Sequence, residues 1–199
     1  MSFISLVLAV SIYVFGLLGL AVDSAESKNF PAEMSVKGKT LHQQGAGHRT
    51  ASLFNVKVYI AALYLEKTLA DSKAAQDLIA SNQMKLIELN PLYDISKEDS
   101  EKGWNLALQE ACARQCQEIQ KEQASFLKSV PAFKKGDHHR YEFTSDQFEF
   151  FLNEKRIYQS KDKIFAQVLL KTWIGEKPVS ESLKKNLLGE KSKTDSSAE

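Results

Sequence analysis

The sequence predicts an α+β fold in which a largely antiparallel sheet is covered by helices on one face. Three observations lead to this prediction. Side chains alternate along a long strand-like stretch at residues 54–65, apolar residues recur with helical spacing in the middle of the chain, and short strands separated by polar turns follow at residues 139–158. Strands on both sides of a helical block are typical of this fold class.

Residues 1–25 are predicted to form a targeting segment ahead of the folded domain. Residues 1–22 contain no charged side chain, and Phe3 to Val22 is almost wholly apolar. The small residues Ser24 and Ala25 fit the end of a cleaved signal peptide, so we expect export to the periplasm. A run of about 20 apolar residues can also span a bilayer. A retained inner-membrane anchor, with the domain facing the periplasm, is therefore the alternative.

Residues 26–189 are long enough for one domain with a proper core, and the polar tail at residues 190–199 is expected to be disordered. The chain has 26 Lys+Arg against 25 Asp+Glu, a net charge of +1 at pH 7. This balance is unlike the basic surface of nucleic-acid-binding proteins, so no nucleic-acid partner is expected. We expect a monomer that contacts a membrane only through an uncleaved N-terminal segment.

The first strands lie around a glycine-rich segment. Ser35 to Gln44 is predicted to form a short strand pair, which continues through a flexible turn at Gly45-Ala46-Gly47 into the long strand. Alternation divides that strand into two faces. One face contains Phe54, Val56, Val58, Ile60, Ala62 and Tyr64, and the other contains Asn55, Lys57, Tyr59, Ala61, Leu63 and Leu65.

The second of these faces changes from polar to apolar along the strand, which fits a cleft with one polar end. Arg49 lies just upstream and could place an anion-binding guanidinium beside the Tyr59 hydroxyl. The alternative is a surface arginine near a turn and a tyrosine that anchors a sheet edge.

The middle of the chain predicts a helix at residues 71–81 and a strand from Met84 to Leu92. Ser96 and Asp99 have capping-box spacing and should begin a helix. Its buried stripe is predicted to be Trp104, Leu108, Cys112 and Cys116. A further helix, about Glu118 to Val130, should end before Pro131.

The two cysteines are predicted to be buried thiols. On one helix, residues four apart have Cβ atoms about 5 to 6 Å apart, whereas a relaxed disulfide needs roughly 3.8 Å. A strained or transient bridge between Cys112 and Cys116 is the alternative, because an exported protein meets oxidising conditions. No second Cys/His cluster accompanies them, so no metal site is expected.

The remaining elements follow local signals. A β-meander is predicted over His139 to Phe143, Phe148 to Leu152, and Ile157 with Tyr158. Ser160 can cap a helix that runs to Gly175. A last short helix is predicted from Ser180 to Leu188, closed by Gly189.

No standard catalytic or cofactor motif occurs in the sequence. The Gly45-Ala46-Gly47 segment alone is too weak to indicate phosphate binding, so no cofactor is expected. His138 and His139 are adjacent and should point to opposite faces of a strand, so they cannot chelate one ion together. We interpret both as solvated residues.

Two sets of motifs nevertheless indicate a family. The first is Gly-x-Gly-x-Arg followed by Phe-x-Val-Lys-Val-Tyr-x-x-Ala-Leu-Tyr-Leu, and the second is Trp173-Ile-Gly-Glu-Lys-Pro-Val-Ser-Glu-Ser-Leu183 with Leu187-Leu188-Gly189. Over nearly all of residues 33–189 the chain resembles the bacterial chalcone isomerase-like proteins. The resemblance implies an open-faced β-sandwich of chalcone isomerase type, with a ligand cleft between the large sheet and its helices.

In plant enzymes of this family, an arginine after the glycine turn polarises the ketone of a chalcone as it closes to a flavanone. Arg49 matches that arginine, Tyr59 takes the place of a catalytic threonine, and Thr172 matches a later threonine. The tyrosine, lysine and asparagine of the plant catalytic helix fall on Asp99, Lys102 and Leu106, so only the lysine remains. A carboxylate opposes developing negative charge and leucine cannot hydrogen-bond. We expect no efficient cyclisation.

Non-catalytic plastid relatives in this superfamily bind fatty acids with an arginine and a tyrosine on the following strand. Arg49 and Tyr59 resemble that pair. The preferred hypothesis is therefore a non-catalytic protein that binds a fatty acid or similar amphipathic carboxylate, with Arg49, Tyr59, Lys102 and Thr172 as candidate ligand-binding residues. The alternatives are an isomerase (an intramolecular lyase) acting on a chalcone-like enone, and an envelope scaffold whose vestigial cleft is filled by side chains.

Overall fold

The computed structural model describes residues 30–51, 56–69 and 75–190. The predicted targeting segment, nearly all of the polar tail, and Phe54 and Asn55 of the long strand lie outside these ranges. The strands are β1 (Glu33–Val36), β2 (Lys39–Ala51), β3 (Val56–Leu65), β4 (Lys85–Pro91), β5 (His139–Phe143), β6 (Phe148–Leu152) and β7 (Lys155–Ser160). The helices are α1 (Ala75–Ala80), α2 (Lys97–Cys112), α3 (Cys116–Ser129), α4 (Lys163–Ile174) and α5 (Glu181–Leu187).

The seven strands of the described chain form one antiparallel sheet in the order β1-β2-β3-β4-β5-β6-β7. Side chains from all five helices join one large hydrophobic cluster with one face of this sheet. The predicted fold class is therefore confirmed. None of the helices described is long and apolar enough to cross a membrane. Nor does any group of three or more His, Cys, Asp or Glu side chains in these ranges have an arrangement that could hold a metal ion.

Aromatic side chains connect the helices to the sheet. Tyr141 of β5 stacks on its cross-strand neighbour Phe150, with ring centroids 4.4 Å apart. Trp104 of α2 lies 5.3 Å from both Phe126 of α3 and Trp173 of α4, in edge-to-face geometry. Such pairs add specific geometry to the large apolar area that each ring buries. These ring contacts therefore determine how the helices are positioned relative to one another and to the sheet.

The glycine-rich segment is part of β2, and the prediction of a flexible turn was wrong. A Cβ atom at Gly45 would lie 2.0 Å from the carbonyl oxygen of Asn186, and one at Gly47 would lie 2.6 Å from the Asn186 Cβ. The glycines therefore allow the backbone of α5 to lie directly on β2. Gln44 is an extra residue at a bulge in β2, and its amide donates to the Leu188 carbonyl oxygen at 3.0 Å.

Strand β3 follows the predicted alternation from Tyr59 onwards. Tyr59, Ala61, Leu63 and Leu65 belong to the helix-side cluster, whereas Ile60, Ala62 and Tyr64 belong to a second cluster on the other face. Val58 was predicted on the other face but packs against the helix-side cluster. The β2–β3 register shifts by one residue between Arg49 and Thr50, which leaves Val58 as an extra residue in β3. Such a bulge redirects side chains locally.

The helix predicted to carry both cysteines is broken between them. Helix α2 ends at Cys112, Ala113 adopts a positive φ of 49°, and α3 begins at Cys116. Cys112 and Cys116 form a disulfide bond, with Cα atoms 5.0 Å apart. The prediction of free thiols was wrong because it assumed a continuous helix, and the alternative of a bridge is the one that the structure contains.

Most of the local helix signals are confirmed. The Ser96 hydroxyl accepts from the Asp99 amide at 3.1 Å, and Ser180 caps α5 in the same way at 3.3 Å. Helix α4 differs, because its cap is Asp162, whose carboxylate accepts from the Phe165 amide at 2.9 Å. The predicted cap, Ser160, instead accepts from the Asp162 amide at 3.1 Å.

The histidine pair is on opposite faces, as predicted, but only one of the two is accessible to solvent. His138 lies 3.0 Å from the Glu88 carboxylate. His139 has an exposed fraction of 0%, and its ring lies 4.2 Å from that of Phe133. Burial lowers the pKa of His139 to about 4. The interpretation of His139 as a solvated residue was wrong, because its face of β5 is the core face.

Gly45→Ala should destabilise the protein by at least about 2 kcal/mol, because the new methyl group meets the backbone of Asn186 rather than a movable side chain. Gly103→Ala is the matched control, since a Cβ atom there meets nothing within 4 Å and alanine favours the α2 helix by about 1 kcal/mol. Urea denaturation of both variants measures the difference. Equal stability of the two variants would contradict the role of Gly45.

His139→Phe should change how stability depends on pH. The unfolded histidine binds a proton below about pH 6.5, whereas the folded one resists protonation until about pH 4, so the folded wild type loses stability as the pH falls between these values. Phenylalanine cannot titrate. The free energy of unfolding of the variant, relative to wild type, should therefore rise by about 2 kcal/mol between about pH 7 and about pH 4.5. Parallel pH profiles in urea denaturation would disprove the buried neutral histidine.

Candidate functional site

A cavity of about 280 Å³ opens between the sheet, α2 and α4. We call it the Arg49 cavity. Its lining includes polar and aromatic side chains, namely Arg49, Tyr59, Asp99, Ser100, Trp104 and Thr172. Apolar side chains, among them Leu89, Ile95 and Phe133, make up much of its remaining wall. An apolar pocket with a few convergent polar groups is the usual form of a small-molecule site.

Arg49 and Tyr59 are direct partners across the β2–β3 pair. The guanidinium carbon lies 5.8 Å from the centre of the tyrosine ring, close enough for a cation–π contact. Both residues line the cavity, with Tyr59 buried. The register of two adjacent strands therefore brings together the pair that the sequence indicated.

The Tyr59 hydroxyl is positioned to donate a hydrogen bond. Its oxygen accepts from the Trp173 indole nitrogen at 3.2 Å, which leaves its own proton for another partner. Burial raises the pKa of Tyr59 to about 12, while the Arg49 charge and the Trp173 hydrogen bond act in the opposite direction. The phenol is therefore neutral at physiological pH. A cation and a neutral donor therefore lie next to each other in the wall of the cavity.

Thr172 also lines the cavity, but its hydroxyl is already bonded within α4. It donates to the carbonyl oxygen of Leu169 at 2.7 Å. The proton is thus used within the helix, and the hydroxyl oxygen is left as an acceptor.

Lys102 does not line the cavity. It lies on the outer side of α2, where its ammonium pairs with Glu98 at 2.8 Å, and both side chains are exposed. Leu106 is 62% exposed. The α2 residues that line the cavity and have the same three- and four-residue spacing are Ser100, Gly103 and Ala107. Of the three positions assigned from the resemblance, Asp99 lines the cavity, whereas Lys102 and Leu106 do not.

Sequence reasoning missed Ser100. Its side chain is 5% exposed, and its hydroxyl oxygen is buried without a hydrogen-bond partner among the described residues. Ser100 precedes Trp104 by four residues, so extending the buried stripe of α2 by one turn would have found it. Asp99 lines the cavity as well, but it takes part in the helix cap by accepting from the Ser96 hydroxyl at 2.7 Å.

Comparison with known proteins now identifies the family. A family model described as chalcone isomerase-like matches residues 23–189, most of the chain. The chain belongs to the chalcone isomerase-like family. The resemblance seen in the sequence motifs is thereby confirmed. A search of curated proteins found no match.

Among solved structures, this chalcone isomerase-like chain is similar to a fatty-acid-binding protein of Arabidopsis thaliana. The two share 16% sequence identity with a TM-score of 0.62, over 80% of this chain and 90% of the plant one. Identity this low establishes the shared fold alone. The chalcone isomerase-like fold is thus supported both by a family match and by a structural neighbour.

Several polar side chains line the Arg49 cavity of this family member. Arg49 supplies a fixed positive charge, Tyr59 a neutral donor, and Ser100 a hydroxyl that is free to donate or accept. On the α2 wall, Gly103 and Ala107 have no side-chain donor or acceptor, and the Asp99 carboxylate is bonded to the Ser96 hydroxyl in the helix cap. The cavity can therefore bind and orient an anion, but its helical wall offers few groups for proton transfer.

Ser100→Ala should leave the ligand-free protein as stable as wild type, or more stable by up to about 1 kcal/mol, because it removes a buried hydroxyl that has no partner. Ser96→Ala on the same helix is the matched control and should cost about 1 kcal/mol through loss of the cap. Both free energies come from urea denaturation. A loss for Ser100→Ala as large as that for the control would mean that the hydroxyl is bonded.

Proposed function

We propose that this protein binds a fatty acid or a similar amphipathic carboxylate in the Arg49 cavity and does not catalyse a reaction. The observation that carries the proposal is the juxtaposition of the Arg49 cation and the neutral Tyr59 donor in the wall of a largely apolar cavity. A carboxylate has two acceptor oxygens, which match a guanidinium and a phenol together.

The rest of the cavity supports an apolar body for this ligand. Val58, Leu89, Ile95 and Phe133 offer hydrocarbon surface, and Trp104 adds an aromatic wall. The volume of about 280 Å³ is near the small end of the usual range for ligand pockets. We therefore favour a medium-length chain over a long one. The plant structural neighbour is a fatty-acid-binding protein.

The α2 wall supports binding without turnover. The plant enzymes use a tyrosine, a lysine and an asparagine on this helix, and the inner positions with the same spacing are here Ser100, Gly103 and Ala107. Glycine and alanine cannot hold a water molecule or stabilise charge through a side chain. An open cavity that reaches Arg49 also counts against a scaffold whose cleft is filled by side chains.

We also propose that the protein acts in the periplasm, either free or anchored in the inner membrane. The apolar run at residues 3–22 supports export. The Cys112–Cys116 disulfide supports an oxidising compartment, because the cytosol keeps most thiols reduced. A ligand captured there would be a free acid in the cell envelope.

The test is calorimetric titration of the protein with decanoate after organic-solvent extraction of any bound lipid. Arg49→Ala should bind at least tenfold more weakly, because it removes a charge-assisted hydrogen bond worth about 1.5–3 kcal/mol. Tyr59→Phe should weaken binding by about three- to tenfold, since it removes one neutral donor. Lys102→Ala removes an equal charge outside the cavity and should bind decanoate as wild type does.

Two results would overturn the proposal. One is unchanged decanoate affinity in a folded Arg49→Ala variant, which would exclude this end of the cavity. The other is turnover of a chalcone by the wild type well above the rate of Arg49→Ala, which would make the protein an isomerase. Mass spectrometry of the extracted lipid would separately identify the natural ligand.

A further inference from the structure

A second, smaller cavity lies at the other end of β4. It has a volume of about 50 Å³ and lies where the end of α1, the β5–β6 turn and the start of α4 meet. Lys85, which lines it, is the first residue of β4, whereas the Tyr59 partner Pro91 is the last. Six residues of strand span roughly 20 Å, so the two cavities are separate sites.

Lys85 is a buried cation at this cavity, with an exposed fraction of 3%. Its ammonium donates to the carbonyl oxygens of Ser81 at 2.6 Å and Gln83 at 3.1 Å. These bonds solvate two of its three protons but do not neutralise its charge. Glu66 is the carboxylate whose field reaches Lys85, and that carboxylate is already paired with Lys39 at 2.7 Å.

Other charges around the cavity add to the positive field. Lys161 and Lys163 both line it and are exposed. Asp162 is the acidic residue among its described lining residues, and its carboxylate is used to cap α4. Desolvating a charge without a counter-ion is costly, and a buried cation is usually paired. Among the residues that the structure describes, no carboxylate is paired with the Lys85 ammonium, so an external anion would complete the cavity.

We propose that this cavity, which we call the Lys85 cavity and define by Lys85, Lys161, Lys163 and the turn at residues 144–147, binds a small oxyanion of the phosphate or sulfate type. The oxyanion would accept the third proton of the Lys85 ammonium and lie between the two exposed lysines. The small volume admits one such group, either as a free ion or as the end of a phosphate monoester.

The electrostatics of Lys85 agree with this site. Burial lowers the pKa of Lys85 to about 8, so most of the side chain is still charged at neutral pH. A bound anion would favour the charged form. The site does not depend on the proposed function of the Arg49 cavity, which shares none of these residues.

The experiment is a titration of the full domain with inorganic phosphate at low ionic strength and pH 7, followed by the amide signals of residues 81–85 and 144–147 in two-dimensional NMR. Saturable shifts of these signals are expected. Lys85→Met keeps the apolar stem and removes the charge, so its affinity should fall at least tenfold. Lys121→Met is the matched control, since it removes an equal charge from the exposed face of α3, and its affinity should be unchanged.

Several outcomes would decide against the site. Non-saturable shifts in wild type, or equal weakening in Lys85→Met and Lys121→Met, would show a general response to charge.

If Lys85→Met does not fold, the double variant Lys161→Met/Lys163→Met tests the same cavity from its exposed rim and should also bind phosphate more weakly. Glycerol phosphate in place of phosphate distinguishes the free ion from a monoester, because only a cavity open to larger molecules binds both. Decanoate titration of each variant shows whether the Arg49 cavity is intact.

Discussion

The close contact between α5 and β2 is the constraint on which the rest of the structure depends. A side chain at Gly45 would occupy the position of the Asn186 carbonyl oxygen. Because Gly45 and Gly47 lack Cβ atoms, α5 can pack directly on β2. The Gln44 side-chain amide stabilises this contact by donating to the Leu188 carbonyl oxygen. Helix α4 precedes α5 directly, and its Trp173 reaches across to the Tyr59 hydroxyl. The two ends of the domain are thus held together at the side of the sheet where the Arg49 cavity lies.

Two features of the Arg49 cavity bear on binding: a paired arginine and tyrosine, and a buried hydroxyl without a described partner. Strand pairing places the Cα atoms of Arg49 and Tyr59 opposite each other. Ser100 contributes a buried hydroxyl with no described partner, and such groups are uncommon in folded proteins unless a ligand or water completes them. A binding site gains affinity when its polar groups are already in place, because little ordering is needed as the ligand enters. The geometry thus favours retention of a ligand.

The family relationship and the local chemistry answer different questions. Membership in the chalcone isomerase-like family accounts for the sheet and its helices, yet a shared fold does not determine a shared reaction. Any chemistry depends on which side chains line the inner face of α2. Ser100, Gly103 and Ala107 lie there with Trp104 and with Asp99, whose carboxylate takes part in the helix cap. The Lys85 cavity lies about 20 Å away at the other end of β4. The two cavities share no lining residue, so each proposed site is chemically independent of the other.

Sequence alone was sufficient for features set by near neighbours: strand alternation in β3 from Tyr59 onwards, the Ser96–Asp99 cap and the β-meander. The cross-strand pairing of Arg49 with Tyr59 became visible only in the sheet register. Sequence alone failed where a distant segment decides. Gly45 was predicted to lie in a turn, but it lies in β2, where the absence of a side chain lets α5 pack on the strand. His139 was interpreted as solvated, but the ring of Phe133 packs on it. The burial of Ser100 follows from its spacing to Trp104, whereas its lack of a hydrogen-bond partner among the described residues is visible only in the structure. Helical and strand periods are properties of a few adjacent residues, whereas burial and close approach depend on contacts between segments far apart in the chain.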